Sequence, residues 1–92
     1  MELLTDEIKV RVLARLIISD IANYEGDLIR EGLKNGNVLE KIKEFYDEGL
    51  GVFNTRVSPD FINSHLYREG FDWHLKRWEA EYKVLGNFIG SQ

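Results

Sequence analysis

Residues 71–89, FDWHLKRWEAEYKVLGNFI, carry the clearest periodic signal in the chain. Phe71, Leu75, Trp78, Tyr82, Leu85 and Ile89 recur at spacings of 4, 3, 4, 3 and 4. Side chains at those intervals share one side of an α-helix, and the alternation of four with three is that of a heptad seam. A strand would need alternation at period two, and no stretch of the chain sustains it. The segment therefore predicts a long helix with an apolar seam. Gly86 and Gly90 predict fraying at its end.

Upstream, Ser58-Pro59-Asp60 predicts the start of this third helical segment. Serine caps, proline suits the first helical position and an acid complements the helix start. Phe61, Ile62, Leu66 and Tyr67 follow, and Gly70 permits a bend or a break. Asn35-Gly36 divides the rest of the chain, because a left-handed residue commonly ends a helix. Before it, residues 5–34 read as one helix with Thr5 as cap. Leu13, Ile17, Ile21, Tyr24 and Leu28 form its apolar face, widened by Val12, Leu16 and Ile18. Gly26 inside it marks either close helix contact or a kink. After it, Asn37 and Glu40 resemble a capping box. Val38, Ile42, Phe45 and Phe53, with Leu39 and Tyr46, then mark a helix expected to run through Gly49 and Gly51 to about Val57.

The expected fold is all-α. Residues 1–92 form a single domain of three helices, or four if Gly70 breaks the last. Short connections favour antiparallel neighbours. Two long helices with wide apolar faces in so short a chain point to a bundle completed by dimerisation.

Composition narrows the function. Cysteine is absent, which excludes disulfides, thiolate zinc sites and a cysteine nucleophile. The formal net charge is −4 and is evenly spread. With no cluster of lysine and arginine, neither nucleic acid nor an anionic membrane surface is an expected partner. No apolar run exceeds three residues, as in Leu16-Ile17-Ile18, far short of a membrane span. The acidic start (Glu2, Asp6, Glu7) does not suit a signal peptide. These features fit a cytoplasmic protein.

His65, Glu69 and His74 come nearest to a metal cluster. His65 and Glu69 share a helix face, but His74 falls roughly opposite at about 100° per residue. Carboxylates such as Asp20, Glu25, Glu44 or Glu48 would have to complete a site. Half-exposed helix histidines are the plainer reading. Glu-x-x-His, the pair used by di-iron bundles, does not occur. Ser19-Asp20 lacks a histidine near in sequence, and Asp20 is expected to pair with Lys9, Arg15 or a base on another helix. Glu40, Glu44, Asp47 and Glu48 read as a solvated face interleaved with Lys41 and Lys43. Gly49 and Gly51 lack the strand, third glycine and lysine of a phosphate loop. No catalytic residue, metal or other cofactor is expected.

Trp73 lies outside the heptad seam, with Arg77 four residues on. It needs a second neighbour, either another helix of its own chain or another chain, the plainer reading being that it packs under the first connection. Tryptophan and arginine are enriched where proteins bind one another. Trp73, His74 and Arg77, with seam residues Phe71, Leu75, Trp78, Tyr82 and Leu85, are therefore the expected contact surface.

The run from Ala14 to Ile21 resembles a known pattern when taken with Tyr24, Gly32, Asn35-Gly36, Lys43-Glu44, Glu48-Gly49 and Arg56-Val57. It is similar to a small helical region of uncharacterised bacterial proteins, often a tail on signalling-type proteins. The resemblance covers about residues 11–60. It implies a helical accessory or interaction role and transfers no site residues. The expected function is a non-catalytic interaction or self-association module, most simply a homodimer. The alternative is a small metal-binding protein or enzyme using histidine and carboxylates.

Overall fold

Asp6, not Thr5, caps the first helix: its carboxylate accepts a hydrogen bond from the Ile8 N–H at 2.9 Å. The computed structural model describes the backbone of residues 2–90 and the side chains of residues 2–84. Within them lie α1 (Glu7–Tyr24), α2 (Gly26–Asn35), α3 (Val38–Lys41), α4 (Lys43–Arg56), a 3-10 turn (Pro59–Phe61) and α5 (His65–Gly90). The chain is all-α. Among the described residues extended pairing is confined to one bridge, where Leu4 meets Val57.

The single helix expected over residues 5–34 is two helices. Glu25, at φ −119° and ψ 37°, bends the chain between α1 and α2. Two hydrogen bonds still cross the corner, Glu25 N–H to Ile21 C=O and Ile29 N–H to Glu25 C=O. The apolar pattern keeps its phase through such a corner, so the spacing alone hides it. α2 ends at Gly36 as expected: its φ of 74° is left-handed, a region glycine enters without a Cβ clash. Asn37 bonds the Glu40 side chain at 3.2 Å but makes no side-chain cap to the backbone. The second segment also divides, at Ile42, and α4 then runs unbroken through Gly49 and Gly51.

The third helix starts later than Ser58-Pro59-Asp60 predicts. Those residues close one 3-10 turn, and Asn63 at φ 56° turns the chain again. Ser64 is the working cap, its hydroxyl accepting from Leu66 N–H at 2.9 Å. α5 then runs 26 residues without a break at Gly70. That glycine is a contact point. A Cβ on it would stand 2.9 Å from Ala14 Cβ and 3.1 Å from the Ala14 carbonyl carbon, so α1 and α5 touch backbone to backbone there.

Three helices build the core. α1 gives Val10, Ala14, Ile18 and Ile21, α4 gives Phe53, and α5 gives Leu66, Tyr67 and Phe71. Ile29, Val38, Ile42 and Val57 close its ends. Tyr67 is central, with its ring 4.9 Å from Tyr46 and 5.4 Å from Phe53. Burial pushes its phenol well above the ordinary range, so it stays protonated and donates to the Tyr46 carbonyl at 2.8 Å. Pairings fix the directions. Arg11 meets Glu69 and Arg15 meets His74, so α1 and α5 run the same way. Ile17 lies against Gly49 while Leu4 bonds the backbone at Arg56 and Ser58, so α4 runs opposite to α1.

Candidate functional site

The core stripe of α1 is not the one its widest apolar pattern suggests. Val10, Ala14, Ile18 and Ile21 face inward, Leu13 and Ile17 are half-buried, and Tyr24 is exposed. Small Ala14 sits inside because Gly70 of α5 approaches it. At 100° per residue Ile8, Val12 and Leu16 fall on the far side of the helix. They remain 71%, 49% and 58% exposed. Their i, i+4 spacing makes one outward apolar row, with Lys9, Arg11 and Arg15 interleaved.

A second apolar surface lies between α1 and α4. It is an open groove of about 460 Å³ floored by Ile17, Ile21, Phe45 and Val52, with Tyr24 standing at one end. Asp20, Glu25 and Glu48 complete its lining, and no cationic residue takes part. Asp20 does not pair with Lys9 or Arg15. Among the described residues none of these three carboxylates is in an ion pair, although Glu7, Asp27, Glu31, Asp47, Glu69 and Asp72 all are. The acids expected to share one solvated face thus divide. Asp47 pairs with Lys43 at 2.7 Å, while Glu48 turns to the groove.

The residues expected at a contact surface on α5 separate too. Phe71 is wholly buried against Tyr46 and Trp78, so its side chain belongs to the core and is not available to a partner. Leu75 and Trp78 are half-buried and pack on the core. Trp78 and Tyr82 line a smaller groove with Ile29 and Leu33 of α2. The side chain of Leu85 lies outside the described residues. Trp73 remains 39% exposed. Its ring is held between two guanidinium groups, Arg15 at 4.4 Å and Arg77 at 4.8 Å. Its neighbour is thus the middle of α1, not the connection after it. His74 packs edge-on to Trp73, stacks on Trp78, and bonds the Arg15 carbonyl at 2.9 Å. Burial, with Arg77 and Arg15 nearby, pushes its pKa below the ordinary histidine value against the opposing hydrogen bond.

The residues weighed for a metal site lie apart. Glu69 is engaged by Arg11 at 2.7 Å, with exposed His65 3.9 Å away. His74 is turned to the α1 backbone, and Asp20 lies on the groove between α1 and α4. Among the described residues no three histidine, aspartate or glutamate side chains are grouped to hold an ion. No described helix is long and apolar enough to cross a membrane.

Sequence reasoning missed both α1 surfaces. The signal for the outer row was present: Ile8, Val12 and Leu16 repeat every four residues beside a second apolar stripe. The groove had no such signal, since its walls come from segments about 28 residues apart that only the fold brings together. The chain matches no family model, no curated protein and no solved structure.

Proposed function

We propose that this chain is a non-catalytic self-association module in which three long helices, α1, α4 and α5, form a bundle that a second copy completes. The supporting observation is that α1 is apolar on two opposite sides and, among the described residues, has neighbours for only one. Ile8, Val12 and Leu16 are about half or more in water on the side away from the core. A helix apolar all round is normally enclosed. The same mechanism was expected of the α5 seam, where Phe71, Leu75 and Trp78 pack on the core and Tyr82 stays exposed. The outer row of α1 adds exposed apolar surface on a second helix.

Magnitudes limit the strength of such association. Covering three half-exposed aliphatic side chains yields on the order of 1 kcal/mol each. Association costs roughly 4 kcal/mol or more in lost freedom of motion. The row alone makes at most a weak dimer, so a stable one must take in flanking surface. Trp73, half-exposed between Arg15 and Arg77, is the next candidate for contact.

Sedimentation equilibrium tests the reading directly. The wild type should associate at tens of micromolar, while Val12→Asp with Leu16→Asp should be monomeric and equally helical by circular dichroism. A wild type that stays monomeric throughout that range removes self-association.

A further inference from the structure

The row and the groove differ in more than position; they are complementary. The groove has an apolar floor and three carboxylates, Asp20, Glu25 and Glu48, that make no ion pair among the described residues. The outer row of α1 is flanked by Lys9, which is in no ion pair among the described residues, and by Arg15, whose guanidinium lies over Trp73, while Arg11 is held by Glu7 and Glu69. Their lengths also agree. Ile8 to Leu16 covers about 12 Å at 1.5 Å per residue, and the groove walls, Ile17 to Tyr24 and Phe45 to Val52, each cover about 10.5 Å. The row is convex, being the outside of one helix, and the groove is concave, lying between two.

We propose that the occupant of the α1–α4 groove is the outer face of α1 from a second copy of this chain. This rests on the self-association reading and gives it an address: row on groove, not row on row. Ile8, Val12 and Leu16 of one copy cover the apolar floor of the next. Lys9, with Arg15 beside it, meets the carboxylates, which a shared apolar contact partly desolvates. A row-on-row pair would instead crowd like charges. Because the two patches are different surfaces, the interface is heterologous, and assembly continues until the rotation between copies closes it.

Mixing two damaged chains decides the matter. One variant loses the row (Val12→Asp with Leu16→Asp) and keeps the groove. The other loses the groove charge (Asp20→Lys, Glu25→Lys and Glu48→Lys) and keeps the row. All five positions are outside the buried core, and circular dichroism with urea unfolding verifies that each variant folds. Milder versions, Val12→Gln with Leu16→Gln and Asp20→Asn with Glu25→Gln and Glu48→Gln, serve if either does not. Sedimentation should show each variant associating at least about tenfold more weakly than wild type. An equimolar mixture should form a one-to-one heterodimer, because one intact row meets one intact groove. That complex should weaken as salt is raised.

Self-association of the groove variant at wild-type strength overturns row on groove and leaves self-association standing. Failure of the mixture to pair, with both variants folded and the wild type associating, overturns it as well. A monomeric wild type removes both readings together.

Discussion

Gly70 and Gly51 are both helical glycines, and their surroundings assign them opposite responses to alanine. Gly51 faces open space within α4. Gly51→Ala should therefore stabilise the protein by about 0.5–1 kcal/mol, the gain from helix propensity and a less flexible unfolded chain. At Gly70 the new methyl meets Ala14 Cβ and the α1 backbone at 2.9–3.2 Å, and backbone cannot swing aside. Overpacking costs typically 1–3 kcal/mol, so Gly70→Ala should be destabilising by about 1–2 kcal/mol after the propensity gain. Urea denaturation of the two variants checks both signs. His74 supplies a residue-scale pH dependence. Its folded pKa lies below the unfolded value of 6.5, so the neutral ring is favoured by folding. The associated stability is complete above the unfolded pKa and is lost as pH falls through the folded one. His74→Gln should narrow the gap in urea midpoint between neutral and mildly acid solution. An unchanged gap would show that the imidazole is not its source.

Between elements, the junction of α1, α4 and α5 turns on Gly49 and Tyr67. A methyl on Gly49 would meet the Tyr67 hydroxyl first and Ile17 next, at 2.8 Å. Gly49→Ala should destabilise the fold, and Tyr67→Phe alone should cost about 1 kcal/mol through the lost bond to Tyr46. Together they should cost less than their sum, by at least about 0.5 kcal/mol, because the second change removes the atom that the first one strikes. Additive costs in a urea double-mutant cycle would place the strain on Ile17. This junction also marks the limit of what the sequence reveals. Helix content, the stop at Gly36 and the continuity of α4 were legible because each depends on neighbouring residues. The spacing leaves open a bend or a break at Gly70, because the glycine's reason, Ala14, lies 56 positions away. Ser58-Pro59-Asp60 is a sound local start signal, but the chain uses it for one turn and begins α5 at His65, capped by Ser64. Local spacing shows Arg77 beside Trp73, four residues on in one helix, whereas the groove between α1 and α4 depends on tertiary packing.

At the scale of the whole molecule, association and stability are one measurement. A chain that pairs only when folded gains stability with concentration, since the associated state draws on the folded monomer. The wild-type melting temperature should therefore rise as protein concentration is raised through the expected association range. Val12 and Leu16 are about half exposed in the monomer, so replacing both with aspartate removes little internal packing. The cost is mainly helix propensity, on the order of 0.5 kcal/mol per residue. The double variant should melt at a temperature independent of concentration and close to that of dilute wild type. Were Val12 and Leu16 part of the monomer's own core, the variant would melt well below dilute wild type at every concentration. Were the outer row of α1 idle surface, the wild type would show no concentration dependence at all. The melting series thus separates a surface that holds copies together from one that holds the monomer together.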